Sequence, residues 1–198
     1  MQPRLDYGSD RMAAKGVSKR LVIDASVARS AGDEGAIYPM SVHCRDFLLT
    51  VLDTSHKFVM TLEIRDEWNK HQSEFARKWR SKMVAKRKFE FLDISVNAEL
   101  WNKIYVILET VTGSDKQQVE MIKDLRLLEA AIATDKIIIS LDDKTARRFF
   151  SRAAVQVDDL KNIVWVNPDK IEEEKPIEWL EKGANSERDR LLGTWCDR

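Results

Sequence analysis

Short runs of apolar residues recur along the chain, and longer stretches with helical periodicity separate them. Five runs are rich in β-branched or aromatic residues, the composition expected of buried strands. They are Leu21–Ile23, Lys57–Met60, Phe89–Ile94, Lys136–Leu141 and Ile163–Val166. The first and fourth contain unbroken aliphatic triplets, which predicts strands that are covered on both faces.

The segments between these runs place apolar residues at the spacing of one helix face, which predicts core positions for Trp68, Trp79 and Trp101 among others. Ser26, Ser41 and Thr61 are predicted to cap the helices that follow the first strand, the first loop and the second strand. The predicted helices are one from Ser41 through Leu52, a long one over Leu62–Lys88, one over Ala98–Val111, one from Ser114 through Ile132, one over Lys144–Ala154, and a tail helix around Trp179.

Strands that alternate with helices predict an α/β fold with a mostly parallel sheet and right-handed crossovers. Residues 1–18 are polar and without periodicity, so they are predicted to form a flexible N-terminal arm. The folded domain is expected over residues 19–168, and residues 169–198 form an acidic C-terminal extension.

The overall composition is that of an ordinary globular protein of 198 residues, with 43% hydrophobic and 33% charged residues. Lys+Arg and Asp+Glu are balanced at 33 each, so a polyanionic partner must be met by a local patch. Cys44 and Cys196 lie far apart, and the three histidines form no zinc motif. The chain has no membrane-length apolar run or signal-peptide core, which predicts a cytoplasmic protein.

Acidic residues follow two of the predicted strands. Asp24 ends the first strand, and Asp142 ends the fourth, so both are expected at the carboxyl edge of a parallel sheet. Glu63 and Glu67 lie one turn apart on a helix that starts at the same edge. Asp124 borders the buried stripe of its own helix, where a cap, an ion pair with Lys123 or Arg126, or a metal ion would explain it.

Several carboxylates that share one edge oppose each other's ionisation unless a cation neutralises them. Hard divalent cations with oxygen ligands do so, and Mg²⁺ or Mn²⁺ suits a site made only of carboxylates. Such a site activates water and stabilises the leaving oxygen of a phosphodiester. The pattern therefore predicts a metal-dependent phosphodiesterase.

Four motifs in this order resemble the PIN-domain nuclease family, which includes the toxin ribonucleases of bacterial toxin–antitoxin pairs. They are Leu-Val-Ile-Asp24-Ala-Ser26, Glu67 in the helix after the second strand, Asp124-Leu-Arg-Leu-Leu-Glu-Ala-Ala, and Ile-Ile-Ile-Ser140-Leu-Asp142-Asp143. The resemblance covers about residues 19–168. It implies an α/β/α sandwich and metal-dependent cleavage of RNA.

The resemblance also implies roles for individual residues. Asp24, Glu67, Asp124 and Asp142 would be the catalytic residues and would hold the Mg²⁺ or Mn²⁺ ion. Ser26 and Ser140 would support them with hydrogen bonds. Two positions stay open, because Glu63 competes with Glu67 and Asp143 competes with Asp142. The expected partners are an RNA substrate and either an antitoxin, another protein or a second copy of the chain.

A basic run follows the acidic pair on the predicted long helix. Seven basic residues occur between positions 77 and 88 without a single acid, and we predict that they follow the phosphate backbone of a nucleic acid. They are Arg77, Lys78, Arg80, Lys82, Lys86, Arg87 and Lys88. A solvated helix face would give the same pattern.

Two other functions compete with that of an endoribonuclease. One is a catalytically inactive PIN-fold module that binds RNA or protein, which the presence of all the acids disfavours. The other is a response-regulator-like module with an acidic pocket. This last function would require a lysine after the final strand, and Asn167-Pro168 stands there instead.

Overall fold

The computed structural model describes residues 17–111 and 115–195, and for residues 110, 111 and 115–122 it describes the backbone only. All five predicted strands are present and pair in parallel in the order β3-β2-β1-β4-β5. Their bounds are β1 Arg20–Ile23, β2 Lys57–Met60, β3 Phe89–Phe91, β4 Ile137–Ile139 and β5 Val164–Val166. The predicted fold class, an α/β/α sandwich around a parallel sheet, is confirmed.

Nine α-helices connect or follow the strands in the described part of the chain. Their bounds are α1 Ala25–Ser30, α2 Pro39–Asp53, α3 Leu62–His71, α4 Glu74–Ala85, α5 Ala98–Val111, α6 Asp115–Ile132, α7 Arg148–Ala153, α8 Asp158–Lys161 and α9 Pro176–Glu181. A π-helical segment, Asp143–Arg147, leads directly into α7. In the described ranges, no helix is both long enough and apolar enough to cross a bilayer.

The central strands are buried because their side chains are apolar on both faces. Leu21, Val22 and Ile23 of β1 are fully buried, as are Ile138 and Ile139 of β4. Val22 pairs with Ile138 and Ile23 with Ile139, which places the ends of β1 and β4 side by side. The carboxyl ends of these two strands, where Asp24 and Ser140 follow, are therefore adjacent.

A cluster of aromatic rings fills the core between β2 and the helices that follow it. The Phe58 ring centroid lies 4.7 Å from that of Trp68 and 5.3 Å from that of Trp79. The indole Nε1 of Trp68 donates to the Ile23 carbonyl, and that of Trp79 donates to the Leu48 carbonyl. The prediction that Trp68 and Trp79 belong to a core stripe is confirmed, since both are buried.

The predicted single helix over Leu62–Lys88 is wrong, because it breaks between α3 and α4 at Gln72 and Ser73. Ser73 leaves the helical conformation and its Oγ accepts a hydrogen bond from the Ala76 amide at 3.1 Å. The same hydroxyl donates to the Ala31 carbonyl at 2.6 Å. Ser73 is thus the N-cap of a new helix, a signal that the continuous apolar stripe concealed.

Two other caps differ from the prediction. Ser26 and Ser41 both lie inside their helices, because α1 starts directly after Asp24 and α2 starts at Pro39. Proline is suited to the first turn of a helix, where its missing N–H is no loss. Thr61 is a cap as predicted, since its hydroxyl accepts from the Ile64 amide.

The segment after β5 packs against the rest of the fold. Trp179 and Leu180 of α9 are buried, and the Leu180 carbonyl oxygen lies 2.9 Å from Nε2 of buried His56. Leu191 forms an antiparallel bridge with Val164 of β5. The tail helix predicted around Trp179 is therefore confirmed as α9. The arm predicted over residues 1–18 lies outside the described residues except for positions 17 and 18.

A buried ionic network joins this tail to the sheet. The Arg147 guanidinium pairs with Asp143 at 3.2 Å and with Glu174, and the exposed fraction of its side chain is only 1%. Asn167 donates to Asp143 at 2.8 Å through its side chain and to Glu174 at 3.0 Å through its backbone amide. Arg190 contacts Glu174 as well. These groups connect the ends of β4 and β5 to the chain that follows them.

Candidate functional site

Asp24 is held at the carboxyl end of β1 by both its backbone and its side chain. Its amide donates to the Ile139 carbonyl at 2.9 Å, which continues the pairing of β1 with β4. Its Oδ2 accepts hydrogen bonds from the hydroxyls of Ser26 and Ser140, the latter at 2.9 Å. The support that the resemblance implied for Ser26 and Ser140 thus corresponds to direct contacts with Asp24.

The Asp24 carboxyl is in an environment that disfavours its charge. Burial raises its pKa above the usual range, because the serine hydrogen bonds offset only part of the desolvation. Both hydroxyl partners are neutral, and in the described part of the chain no cationic side chain pairs with Asp24. A bound cation would restore the charged form of this carboxyl.

A cavity of about 270 Å³ opens beside Asp24 at the carboxyl edge of the sheet. Four carboxylate residues line it: Asp24 after β1, Glu63 and Glu67 on α3, and Asp124 on α6. The cavity has room for several water molecules. The structure therefore brings together three of the four predicted metal ligands, along with the open alternative Glu63.

The two glutamates of the cavity, Glu63 and Glu67, lie in the first two turns of α3. Burial acts to raise the pKa of Glu63, but its own backbone amide, the Thr61 hydroxyl and the Arg126 charge outweigh it, so the pKa is lowered. The pKa of Glu67 is lowered chiefly by a hydrogen bond from Lys70 Nζ, at 2.9 Å. Lys123 of α6 adds to this effect through its charge. Both glutamates are therefore anions at neutral pH.

Asp142 and Asp143 lie outside the residues that line the cavity. The Oδ1 of Asp142 accepts from the Thr145 amide at 2.8 Å and so caps the π-helical segment. Its own amide donates to Ser140 Oγ at 3.2 Å, so Asp142 reaches Asp24 only through that hydroxyl. Asp143 is engaged by Arg147 and Asn167 in the buried network.

The donor set suits a hard divalent cation in its chemistry but is not assembled around a single point. All the carboxylates in the cavity offer oxygen ligands, the type that Mg²⁺ and Mn²⁺ prefer. Among the residues that the structure describes, however, no three Asp, Glu, His or Cys side chains converge as ligands of one ion. Glu67 in particular is held by Lys70 and would have to exchange that partner for a metal.

The basic run is divided among several structural roles. Arg77 and Lys78 pair with Glu74, which lies just before the run. The Arg80 guanidinium donates twice to Asn69 Oδ1 at 3.0 Å. The acid-free pattern in the sequence is thus partly neutralised by Glu74 of the same helix.

The last three residues of the basic run have other structural roles. Lys86 approaches Asp53 at 3.9 Å, and Arg87 has a positive φ of 56° where the chain leaves α4. The Lys88 amino group donates to the carbonyls of Leu52, at 2.8 Å, and Thr54. The Lys88 amino group therefore satisfies carbonyls at the end of α2.

The cavity also contains residues that were not predicted as site residues. Trp101 of α5 was expected to face inward with its apolar neighbours, yet it is partly exposed and lines the cavity. Lys123 and Arg126 line it from α6. The sequence signal for Lys123 and Arg126 was their position close to Asp124. Trp101 had no such signal, because a tryptophan at helical spacing is normally part of the core.

Comparison with protein-family models gave no match to the chain. Comparison with curated proteins gave no significant match either. The PIN-like prediction therefore stays a prediction, and it rests on the order of the sequence motifs.

Proposed function

We propose that this chain is a PIN-like endoribonuclease that depends on Mg²⁺ or Mn²⁺ and hydrolyses RNA phosphodiester bonds. The observation that supports it most is the single cavity that Asp24, Glu67 and Asp124 share at the carboxyl edge of the sheet. These residues come from three separate elements of the fold. Ligands of open α/β sheets bind outside this edge.

The residues of the cavity have distinct tasks in this proposal. Asp24 is the central ligand, because its carboxylate is oriented by two serine hydroxyls and has no cationic partner among the described side chains. Glu67 and Asp124 approach from the helices. The bound cation would activate water as the nucleophile and stabilise the leaving oxygen of the phosphodiester. The backbone amide of Asp142 donates to the Ser140 hydroxyl, which in turn donates to Asp24.

The direct test is RNA cleavage by the purified protein with Mn²⁺, with Mg²⁺ and with EDTA. We expect endonucleolytic products with either cation and none after chelation. Cleavage that persists in EDTA would contradict the metal dependence. The same assay on single-stranded DNA measures the preference for RNA.

We expect Glu67→Gln to reduce cleavage far more than Glu63→Gln. Glu63 lies in the first turn of α3, where its charge interacts favourably with the helix dipole, whereas Glu67 lies one turn further along. The two changes remove the same charge from the same helix, so each is the control for the other. Cleavage rates across a Mn²⁺ titration make the comparison, and an inactive Glu63→Gln would reverse the assignment.

The exposed part of the basic run is proposed to bind the phosphate backbone of the substrate. We expect the combined reversal of Arg80, Lys82 and Lys86 to glutamate to weaken RNA binding. Each lost phosphate contact should make the slope of log affinity against log salt less steep by about 0.7. Mn²⁺ affinity should change little, because 0.1 M salt screens charges beyond about 10 Å.

A matched control reverses Lys161, Lys175 and Lys182, three exposed lysines on the C-terminal side of the chain. It changes the net charge by the same amount without touching α4. If both triple variants weaken RNA binding equally, the effect comes from overall charge and not from the basic run. Fluorescence anisotropy at several salt concentrations measures the RNA affinity and its salt dependence.

An inactive PIN-fold module that binds RNA or protein is the second candidate. One observation favours it: in the described part of the chain no three ligands converge, and Glu67 is held by Lys70. A ligand that binds only the folded state raises its melting temperature. A thermal shift with Mn²⁺ in the wild type that Asp24→Asn abolishes would support the enzyme, and an unchanged melting temperature would support the inactive module.

A further inference from the structure

Trp101 and Arg126 form a pair of flat groups at the wall of the cavity. The guanidinium carbon of Arg126 lies over the Trp101 ring at 4.8 Å from its centroid. Both side chains keep some exposed surface, and the exposed fraction of the Arg126 side chain is 26%. On the same helix Leu100 and Ile104 are buried, so Trp101 differs from its core neighbours.

Glu129 fixes the position of this pair. Its carboxylate is almost fully buried and accepts from Trp101 Nε1 at 2.7 Å and from Arg126 Nη1 at 2.9 Å. The backbone amide of Asn97 donates to the same carboxylate at 2.8 Å. A buried carboxylate with three donors is well satisfied, and it holds both flat groups in one orientation.

The cavity therefore combines two kinds of surface. One part carries carboxylates suited to a cation and a phosphoryl group, and the other carries an aromatic ring and a guanidinium plane. An isolated phosphate would need the cation and the positive charge but not the ring. Aromatic rings and guanidinium planes are the surfaces on which unpaired bases of single-stranded RNA stack.

We propose that Trp101 and Arg126 form a nucleobase-binding subsite that holds a base of single-stranded RNA next to the scissile phosphate. This inference rests on the proposed function and specifies its substrate as unpaired RNA. Stacking is tolerant of sequence because every base presents a flat face, so the subsite binds bases without strong preference. Glu129 is a positioning residue that acts through the two stacking groups.

The test measures binding of a short fluorescent single-stranded RNA in the Asp24→Asn background, where cleavage does not compete. We expect Trp101→Ala to lower the affinity about 5- to 140-fold, the range of one lost base-stacking contact. Trp101→Phe should stay close to the parent because it keeps a ring. Arg126→Lys, which keeps the charge but loses the plane, should lower the affinity as well.

A second RNA with the same backbone but abasic positions separates stacking from phosphate binding. The parent should bind it more weakly than the intact RNA, and Trp101→Ala should cause no further loss. Equal affinity of the parent for the two RNAs, or full affinity in Arg126→Lys, would show a phosphate contact only and overturn the subsite. No binding of RNA by the parent would overturn it too.

Trp195→Ala provides the matched control, because Arg147 lies over that ring at the same 4.8 Å but outside the cavity. It should leave RNA affinity unchanged, and melting temperatures of all variants identify any that fail to fold. If the wild type does not cleave RNA but Trp101→Ala loses base-dependent affinity, the subsite stands and the nuclease proposal falls. If the wild type cleaves RNA but Trp101→Ala keeps full RNA affinity, the nuclease proposal stands and the subsite falls.

Discussion

Asp24→Asn is expected to lower metal-dependent RNA cleavage by more than about 100-fold, since changes to groups that merely orient metal ligands already cost about 10- to 100-fold. Asparagine keeps an oxygen that can accept from Ser26 and Ser140, so the local structure is retained while the charge is lost. Initial rates with saturating Mn²⁺ provide the measurement. Full activity in this variant would refute the central role of Asp24.

In the protein without bound metal, the same substitution is expected to leave stability unchanged or to raise it. Because burial raises the folded-state pKa of Asp24, the folded protein is penalised at pH values above that pKa, where the carboxylate is charged. The penalty disappears as pH falls below the unfolded-state value, where aspartic acid is neutral in both states. The gain in melting temperature from asparagine should therefore be present at pH 7 and vanish near pH 3.

Two further variants serve as comparisons in these experiments. Asp142→Asn should cost less activity than Asp24→Asn, because Asp142 is linked to Asp24 through its backbone amide and Ser140, and asparagine keeps that amide. Asp53→Asn removes an exposed charge at the end of α2, outside the residues that line the cavity, and should behave as wild type. A loss in Asp142→Asn equal to that in Asp24→Asn would support direct metal ligation by Asp142.

Arg147→Ala is expected to lower the free energy of unfolding by about 3–5 kcal/mol, the cost of breaking a buried ion pair from one side. The change leaves Asp143 without its cation and Glu174 with Arg190 alone, and the exposed fraction of each acidic side chain is only 12%. It also removes the guanidinium that lies over the Trp195 ring. Urea unfolding at pH 7 measures the loss.

Lys182→Ala is the control for that measurement. Lys182 pairs with Glu178 at 2.6 Å, but the exposed fraction of the lysine side chain is 68%. Exposed pairs contribute at most about 1 kcal/mol, so little change is expected. If the two variants unfold at the same urea concentration, the Arg147 network does not stabilise the attachment of the tail.

The strands were predictable because unbroken aliphatic runs such as Ile137–Ile139 have few alternatives to a buried strand. The break at Ser73 was not, since the stripe from Trp68 to Trp79 keeps helical spacing across it. Tertiary contacts favour the break: the Ser73 hydroxyl donates to Ala31, which is distant in sequence. A single serine within a long stretch of apolar residues at helical spacing is only weak evidence that one helix ends and another begins there.

The candidate site was predictable only where a strand end fixes the residue. Asp24 follows a buried strand, and its place could be derived from topology. Asp142 and Asp143 are adjacent in sequence but point to different surroundings, and the π-helical segment that begins at Asp143 has no recognisable sequence pattern. The role of Lys88 at the end of α2 was not predictable, because charge alone does not indicate that an amino group satisfies helix carbonyls.

The central position of β1 determines when the site can form as the chain folds. Asp24 and Ser140 touch although 116 positions separate them, and β1 obtains its second neighbour only when β4 joins. Contacts between such distant positions form slowly, because a long loop must close before they contribute. Until then the apolar β1 has an open edge, and an unpaired apolar edge is a place where incomplete chains can pair and aggregate.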